Sequence, residues 1–202
     1  MKLFLTSDGL STQNLKNFFI SQLPKEPKNC SLLLIFYKLD IEPEVYIEYT
    51  KEKIKSIGIT DVTYFDMHNE KFVDINNKFD IIWVCGGNTY CILDRMKKTK
   101  IFNFIKKSMI EDNSLYFGVS AGSIIAGYDI KLAGWGSESD ENTINLKNLT
   151  GLNFTDISIL PHYKKSMKKE LEKLKKTINY SIIGITDEEA VFIEDENYKI
   201  VK

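Results

Sequence analysis

The spacing of apolar residues along the chain is the feature that most constrains its fold. Short apolar runs rich in β-forming residues alternate with longer segments of helical period. Near-continuous apolar strands separated by helices are typical of a parallel sheet that is covered on both faces. The predicted strands are Leu3–Thr6, Ser31–Tyr37, Val62–Phe65, Asp80–Cys85, Leu115–Val119, Ile157–Leu160 and Ile182–Ile185.

The end of the chain has a different pattern. Ala190–Ile193 and Tyr198–Val201 flank an acidic turn, which predicts a β-hairpin appended to the sheet. No repeat or flexible linker divides the sequence, so we expect one α/β domain over residues 1–202, with helices on both faces of a doubly wound, mostly parallel sheet. The predicted helices are Thr12–Leu23, Glu44–Ile57, Tyr90–Met96, Ile101–Ile110 and Lys164–Thr177.

The bulk properties exclude several classes of function. The formal net charge is -1, with 27 basic and 28 acidic residues, which gives no support for binding nucleic acid or an anionic membrane. No apolar segment approaches the roughly 18 residues needed to span a bilayer. The three cysteines are irregularly spaced and make no zinc or disulfide pattern, and the chain begins with a strand and not with a signal peptide. We therefore expect a cytoplasmic protein.

A G-x-S-x-G segment, Gly118–Gly122, directly follows a predicted strand. At a strand-to-helix turn this pattern describes a nucleophile elbow, in which a sharp turn exposes the oxygen of the central serine, here Ser120. The helix that follows would direct its free N–H groups and its positive dipole end towards the same point. This arrangement suits attack on a carbonyl group.

A serine nucleophile needs a general base, and the chain has only two histidines. His162 comes just after a predicted strand, and functional residues of open parallel sheets gather at the carboxyl ends of strands. Ser120 and His162 are therefore expected at the same edge. His68 also follows a strand, but one nearer the periphery of the sheet in chain order, so His162 is the favoured base.

The histidine in turn needs a carboxylate at its other ring nitrogen. Acidic residues lie in the polar segment between Ser120 and His162, and three more follow the last core strand. Asp140 is favoured because it lies in the middle of a loop, Gly134–Asn142, that can fold towards the elbow. The other candidates are Asp129, Glu138, Glu141, Asp187, Glu188 and Glu189.

An oxyanion hole needs two convergent N–H donors. The first candidate is the amide of Ala121, directly after the nucleophile. The second lies in Gly86–Thr89, after another strand, where glycines let the backbone approach a ligand. Asn88 and Thr89 are candidates both for capping the next helix and for binding substrate.

Other chemistry has weaker support in the sequence. The Gly86–Thr89 segment has neither the spacing of a dinucleotide motif nor the lysine of a phosphate-binding loop. Two distant histidines and scattered acids form no metal-ligand set. We therefore expect neither a metal nor another cofactor.

Three segments in this order, Val84–Thr89, Gly118–Ser123 and Leu160–Tyr163, resemble the peptidase E family, serine peptidase family S51. The resemblance spans most of the chain. It implies a fold similar to class I glutamine amidotransferases, with a flavodoxin-like sheet. It also implies a serine peptidase that removes N-terminal aspartate from small peptides without metal or cofactor.

Carried over onto matching positions, the resemblance makes Ser120 the nucleophile, His162 the base, and the amides of Gly87 and Ala121 the oxyanion hole. Asp140 falls where the triad acid is expected, with Glu138 and Glu141 as alternatives because some relatives use glutamate.

The chain departs from the family in one respect. Members that prefer aspartate are thought to use an arginine after the histidine, whereas Arg95 is the only arginine here and lysines follow His162. A lysine supplies charge without a bidentate fork. The alternatives to an aspartyl exopeptidase are a β-aspartyl or other amide hydrolase, as in the related cyanophycinases, and a non-catalytic binding protein on the same scaffold. Monomer and homodimer both remain open.

Overall fold

The computed structural model describes residues 1–37, 43–68, 77–178 and 180–202. The strands found within these ranges are β1 (Lys2–Thr6), β2 (Ser31–Phe36), β3 (Asp61–Asp66), β4 (Ile81–Val84), β5 (Leu115–Val119), β6 (Ile157–Leu160), β7 (Ser181–Gly184), β8 (Ala190–Glu194) and β9 (Asn197–Val201). The main sheet formed by the described residues has seven strands in the order β3-β2-β4-β5-β1-β8-β9.

The helices agree closely with the helical periods of the sequence. The α-helices within the described residues are α1 (Gln13–Gln22), α2 (Pro43–Ser56), α3 (Thr89–Lys98), α4 (Ile101–Glu111), α5 (Ala121–Ile125) and α6 (Lys168–Lys175). Short 3-10 helices cover Pro27–Asn29, Lys131–Gly134 and Lys165–Met167. None of the helices in the described part of the chain is long and apolar enough to cross a membrane.

The predicted mixed sheet is confirmed. The pairs β3–β2, β2–β4, β4–β5 and β5–β1 are parallel, whereas β8 runs antiparallel to β1 and β9 antiparallel to β8. The C-terminal hairpin is tighter than predicted. Glu194 pairs with Asn197, which leaves Asp195 and Glu196 as the turn, and Asp195 has a φ of 54°.

Alternating side chains of the central strands enter two separate apolar layers, as the period of a strand requires. Leu33 and Val84 pack with residues of α3, α4 and α5 on one face. Leu34 and Trp83 pack with residues of α1 and α2 on the other. Helices therefore cover both faces of the sheet, which is the predicted doubly wound arrangement.

One part of the topology differs from the sequence prediction. β6 and β7, predicted to continue the same parallel sheet, form a separate two-stranded parallel sheet. The reason lies at the edge of β1, where a further parallel strand would have to pair. β8 occupies that edge, so β6 and β7 pair with each other and pack over a small apolar cluster that includes Leu160 and Leu171.

The two glycines of the G-x-S-x-G segment matter because they lack a side chain, and not because they adopt a positive φ. Neither Gly118 nor Gly122 has a positive φ, and the strained residue is Ser120 itself, at φ 47°. A Cβ on Gly122 would overlap the backbone carbonyl oxygen of Val84. The first turn of α5 therefore lies directly against the end of β4, and only glycine permits this approach.

We expect Gly122→Ala to destabilise the protein by about 2–3 kcal/mol, because either the strand or the helix must move to admit the methyl group. Urea unfolding measures this free energy. The matched control is Gly127→Ala, since a Cβ there would lie 3.4 Å from its nearest neighbour, the carbonyl oxygen of Ile124. Equal stability of the two variants would contradict the close approach of α5 to β4.

Candidate active site

Ser120 occupies the turn between β5 and α5. Its φ and ψ of 47° and -108° are rarely adopted by a residue with a side chain, and such strain is typical of functional turns. The Ser120 N–H donates to the carbonyl oxygen of Thr6, at the end of β1, with a distance of 3.0 Å. This hydrogen bond ties the elbow to the neighbouring strand.

His162 follows the end of β6 and reaches Ser120 as predicted. The two side chains meet at 3.0 Å between His162 Nε2 and Ser120 Oγ. His162 itself has a positive φ of 54°. The structure therefore brings together the serine and the histidine that sequence reasoning paired.

The carboxylate at the other side of the histidine ring is Asp187. Its Oδ1 lies 2.7 Å from His162 Nδ1. Asp187 follows β7 as His162 follows β6, and the ladder continues past both strands because the Tyr163 N–H donates to the carbonyl oxygen of Ile185. Adjacent parallel strands thus deliver His162 and Asp187 to the same edge.

Asp140 does not have the predicted position. Among the described residues, the hydrogen bonds of its carboxylate come from Thr89, whose N–H and hydroxyl both donate to Oδ2 at 2.8 and 2.6 Å. This corrects the expectation that Asp140 orients His162. A carboxylate at the start of α3 is favoured by the helix dipole and by the free amides there, so Asp140 ties its loop to that helix.

Ser7, which sequence reasoning missed, joins the two halves of the site. Its hydroxyl donates to Asp187 Oδ1 at 2.6 Å and accepts from the backbone N–H of His162 at 2.8 Å. Ser7 is almost fully buried and comes directly after β1, the strand that pairs with β5. Its place after a central parallel strand was the available signal.

These contacts set the protonation of Asp187. Burial acts to raise the pKa of the Asp187 carboxyl, but hydrogen bonds from Ser7 and His162 outweigh it and hold the pKa below its ordinary value. The group is therefore ionised at neutral pH, as a partner for an imidazolium must be.

The two amides predicted for an oxyanion hole lie beside Ser120. Gly87 lines the same cavity as Ser120 and has a φ of 137°, which favours glycine. Ala121 is the first residue of α5, so its N–H has no acceptor within the helix. Neither N–H has a hydrogen-bond acceptor among the described residues.

Asn88 and Thr89 are engaged within the protein. The Asn88 side chain caps α3 by accepting from the Cys91 N–H, and its amide donates to the backbone carbonyl of Glu141. Thr89 is completely buried and holds Asp140. The capping prediction is confirmed, whereas the burial of Thr89 argues against direct contact with substrate.

Glu138 and His68, two other candidates from the sequence, have other contacts. Glu138 pairs with Lys164 at 2.6 Å. His68 is exposed and stacks on Tyr37, with ring centroids 6.1 Å apart. Cys85 is a buried core residue, and burial raises the pKa of its thiol to about 12. Within the described residues, no cluster of three or more His, Cys, Asp or Glu side chains could hold a metal ion.

Ser120 and His162 line two cavities. One has a volume of about 320 Å³, and the predicted loop contributes Trp135, Glu138 and Asp140 to its lining. The other, of about 290 Å³, has Ser7, Asp8 and Tyr46 among its lining residues. The expectation that the loop reaches back to the elbow is confirmed.

A serine on a strand-to-helix turn, hydrogen-bonded to a histidine at the edge of a mostly parallel sheet, is the arrangement of the serine hydrolases. Comparison with known proteins narrows this class. The model of peptidase family S51 matches residues 3–201. The chain therefore belongs to peptidase family S51.

The chain is similar to several proteins of this kind. It is 33% identical to an uncharacterised peptidase of Listeria monocytogenes over 159 residues, which are 75% of this chain and 76% of that protein. It is 26% identical to peptidase E of Shewanella amazonensis, over 72% of this chain and 58% of that protein. A crystal structure of a candidate peptidase E protein from Listeria monocytogenes EGD-e superposes with a TM-score of 0.78 at 28% identity, covering 98% of this chain and 96% of that one.

We expect Ser7→Ala to raise the pKa of Asp187, because the substitution removes one of the two hydrogen bonds that stabilise its ionised form. A carboxyl carbon NMR titration measures this pKa. Ser11→Ala is the matched control, since the Ser11 hydroxyl donates to the backbone carbonyl of Asp187 and not to its carboxylate. A pKa of Asp187 that is the same in both variants would contradict the assigned contact.

The lowered pKa of Asp187 also makes the stability of the fold depend on pH. Because the folded-state pKa of Asp187 lies below the unfolded value of about 3.9, ionised Asp187 stabilises the fold above that pH. The contribution disappears as the pH falls through the lowered folded-state pKa. Part of the difference in unfolding free energy between the wild type and Ser7→Ala comes from Asp187. This part should therefore shrink below about pH 4, as measured by urea unfolding.

Proposed function

We propose that this protein is a serine exopeptidase that hydrolyses the amide bond after the N-terminal residue of small peptides. The observation that carries the proposal is the continuous contact from Ser120 Oγ through the imidazole of His162 to Asp187, at 3.0 and 2.7 Å. Membership of a peptidase family and the peptidase E names of several relatives support the choice of a peptide bond.

The mechanism follows from the roles that these groups can take. Ser120 Oγ attacks the carbonyl carbon while His162 Nε2 accepts the hydroxyl proton. His162 then passes this proton to the departing amine nitrogen as the carbon–nitrogen bond breaks, leaving an acyl-enzyme. Water, deprotonated by His162, attacks the ester and releases the acid and free Ser120.

Two further features stabilise the charges that develop. The N–H groups of Gly87 and Ala121 would bind the oxyanion, and loss of one such donor typically costs roughly 100- to 1000-fold in rate. Asp187 holds the imidazole in the tautomer that leaves Nε2 free to accept a proton, and it stabilises the imidazolium that follows. Asp187 takes this role in the proposal, in place of Asp140.

The alternative of a non-catalytic binding protein would be favoured by a histidine remote from the elbow serine. The distance of 3.0 Å between Ser120 and His162 gives that alternative no support. Hydrolysis of β-aspartyl or other amide bonds would use the same residues, so substrate profiling has to separate it from the proposed reaction.

We expect Asp187→Asn to lower kcat by up to roughly 10,000-fold, because an amide favours the wrong imidazole tautomer. Ser120→Ala should abolish turnover apart from weak residual activity. The measurement is steady-state hydrolysis of a dipeptide panel by mass spectrometry, with circular dichroism to verify folding.

Two matched variants make this test specific. Glu188→Gln removes the neighbouring exposed carboxylate and should leave kcat unchanged. Asp140→Asn loosens the loop that lines the cavity, so it should act mainly on KM and far less on kcat than Asp187→Asn. A larger loss of kcat in Asp140→Asn than in Asp187→Asn would refute the assignment of Asp187.

A further inference from the structure

The larger cavity beside Ser120 is lined in part by apolar side chains, which form an apolar wall. Leu132, Leu160 and Met167 are all buried and contribute to this wall, and Trp135 adds an aromatic surface. Binding an apolar side chain against this wall is favourable, because it removes apolar surface from water. The side chains of Leu132 and Leu160 offer no hydrogen bond to a polar side chain.

The side chains lining this cavity that can carry a charge, within the described residues, are the imidazole of His162 and the carboxylates of Glu138 and Asp140. Lys164 contacts Glu138 at 2.6 Å without lining the cavity itself, and this contact holds the pKa of Glu138 below its ordinary value. Glu138 is thus present as an anion, and the nearby lysine is already paired.

No arginine is available to offset the carboxylates of this cavity. Arg95 is the only arginine in the chain, and its guanidinium donates to the backbone carbonyls of Met67 and His68, which follow β3. The planar fork that recognises a carboxylate bidentately is therefore committed to structure elsewhere.

We propose that this cavity receives the side chain of the N-terminal residue and selects a neutral, apolar side chain over an acidic one. The inference rests on the proposed function and adds its substrate class. An aspartyl carboxylate in this cavity would lose its hydration against the apolar wall and face two like charges. A leucyl side chain of similar size would bury apolar surface, and the carboxylates would favour the free α-ammonium of the peptide.

The effect of apolar burial and the effect of charge can be separated with three nearly isosteric dipeptides, Leu-Ala, Asn-Ala and Asp-Ala. We expect kcat/KM to fall roughly tenfold from Leu-Ala to Asn-Ala, through loss of apolar burial, and roughly tenfold again to Asp-Ala, through charge. Cleavage of Asp-Ala as fast as Asn-Ala or faster would overturn the charge selection. Cleavage of Asn-Ala as fast as Leu-Ala or faster would overturn the apolar selection.

The Glu138–Lys164 pair supplies a second test. Glu138→Gln removes one anion and frees the Lys164 ammonium, so we expect the ratio of kcat/KM for Asp-Ala to that for Leu-Ala to rise roughly tenfold, since any loss of attraction for the α-ammonium is common to both dipeptides. Glu172→Gln is the matched control, because it breaks a comparable exposed pair with Lys175 on α6. An unchanged ratio of Asp-Ala to Leu-Ala cleavage in Glu138→Gln would overturn the charge selection.

A fluorophosphonate probe distinguishes failure of the inference from failure of the proposed function. Labelling of Ser120, read by peptide mass spectrometry, tests the nucleophile without any peptide substrate. Labelled Ser120 together with preferred cleavage of Asp-Ala would overturn the substrate class alone. Absence of both labelling and dipeptide cleavage would overturn the proposed function and the inference with it.

Discussion

The close approach of α5 to the end of β4 is the constraint on which the rest of the site depends. Because Gly122 has no Cβ, the first turn of α5 lies against the Val84 carbonyl. This contact places Ala121 next to the residues that follow β4, which include Gly87. It also leaves Ser120 to make the whole turn, at a φ that a residue with a side chain rarely adopts. The position of the serine and that of the two proposed oxyanion donors therefore have one common cause.

Hydrogen bonds hold the other half of the site, which consists of His162 and Asp187. His162 and Asp187 follow the two strands of a small parallel pair that shares no strand with the main sheet. The Ser7 hydroxyl, at the end of β1, bonds both of them, and the Ser120 N–H bonds Thr6 one residue earlier. The end of β1 thus contacts both halves of the site. The buried Ser7 hydroxyl uses both its donor and its acceptor role, so it fixes the Asp187 carboxylate and the His162 backbone relative to the end of β1.

Local patterns predicted most of the fold because strand and helix periods depend on near neighbours. The elbow and its pairing with His162 were also predictable, since a motif and a scarce residue type left few choices. The carboxylate that contacts His162 was not predictable, because seven acidic residues were chemically equivalent candidates and only tertiary position separates them. Asp187 follows β7 as His162 follows β6, but these equivalent positions bring the two residues together only because β6 pairs with β7. No periodicity in the sequence shows that β8 pairs with the edge of β1, so that β6 and β7 pair with each other.

The carboxylates around the site differ in function because they differ in donors. Asp187 accepts from a hydroxyl and faces an imidazole, so its charge is available to the histidine. Asp140 receives both of its donors from Thr89 at the start of α3, so its charge holds a loop in place. Glu138 has an exposed lysine as its partner, and this surface contact is the weakest of the three attachments. Of these three anions, Glu138 is therefore the one whose replacement can change the charge met by a substrate while leaving the hydrogen bonds of Ser120, His162 and Asp187 intact.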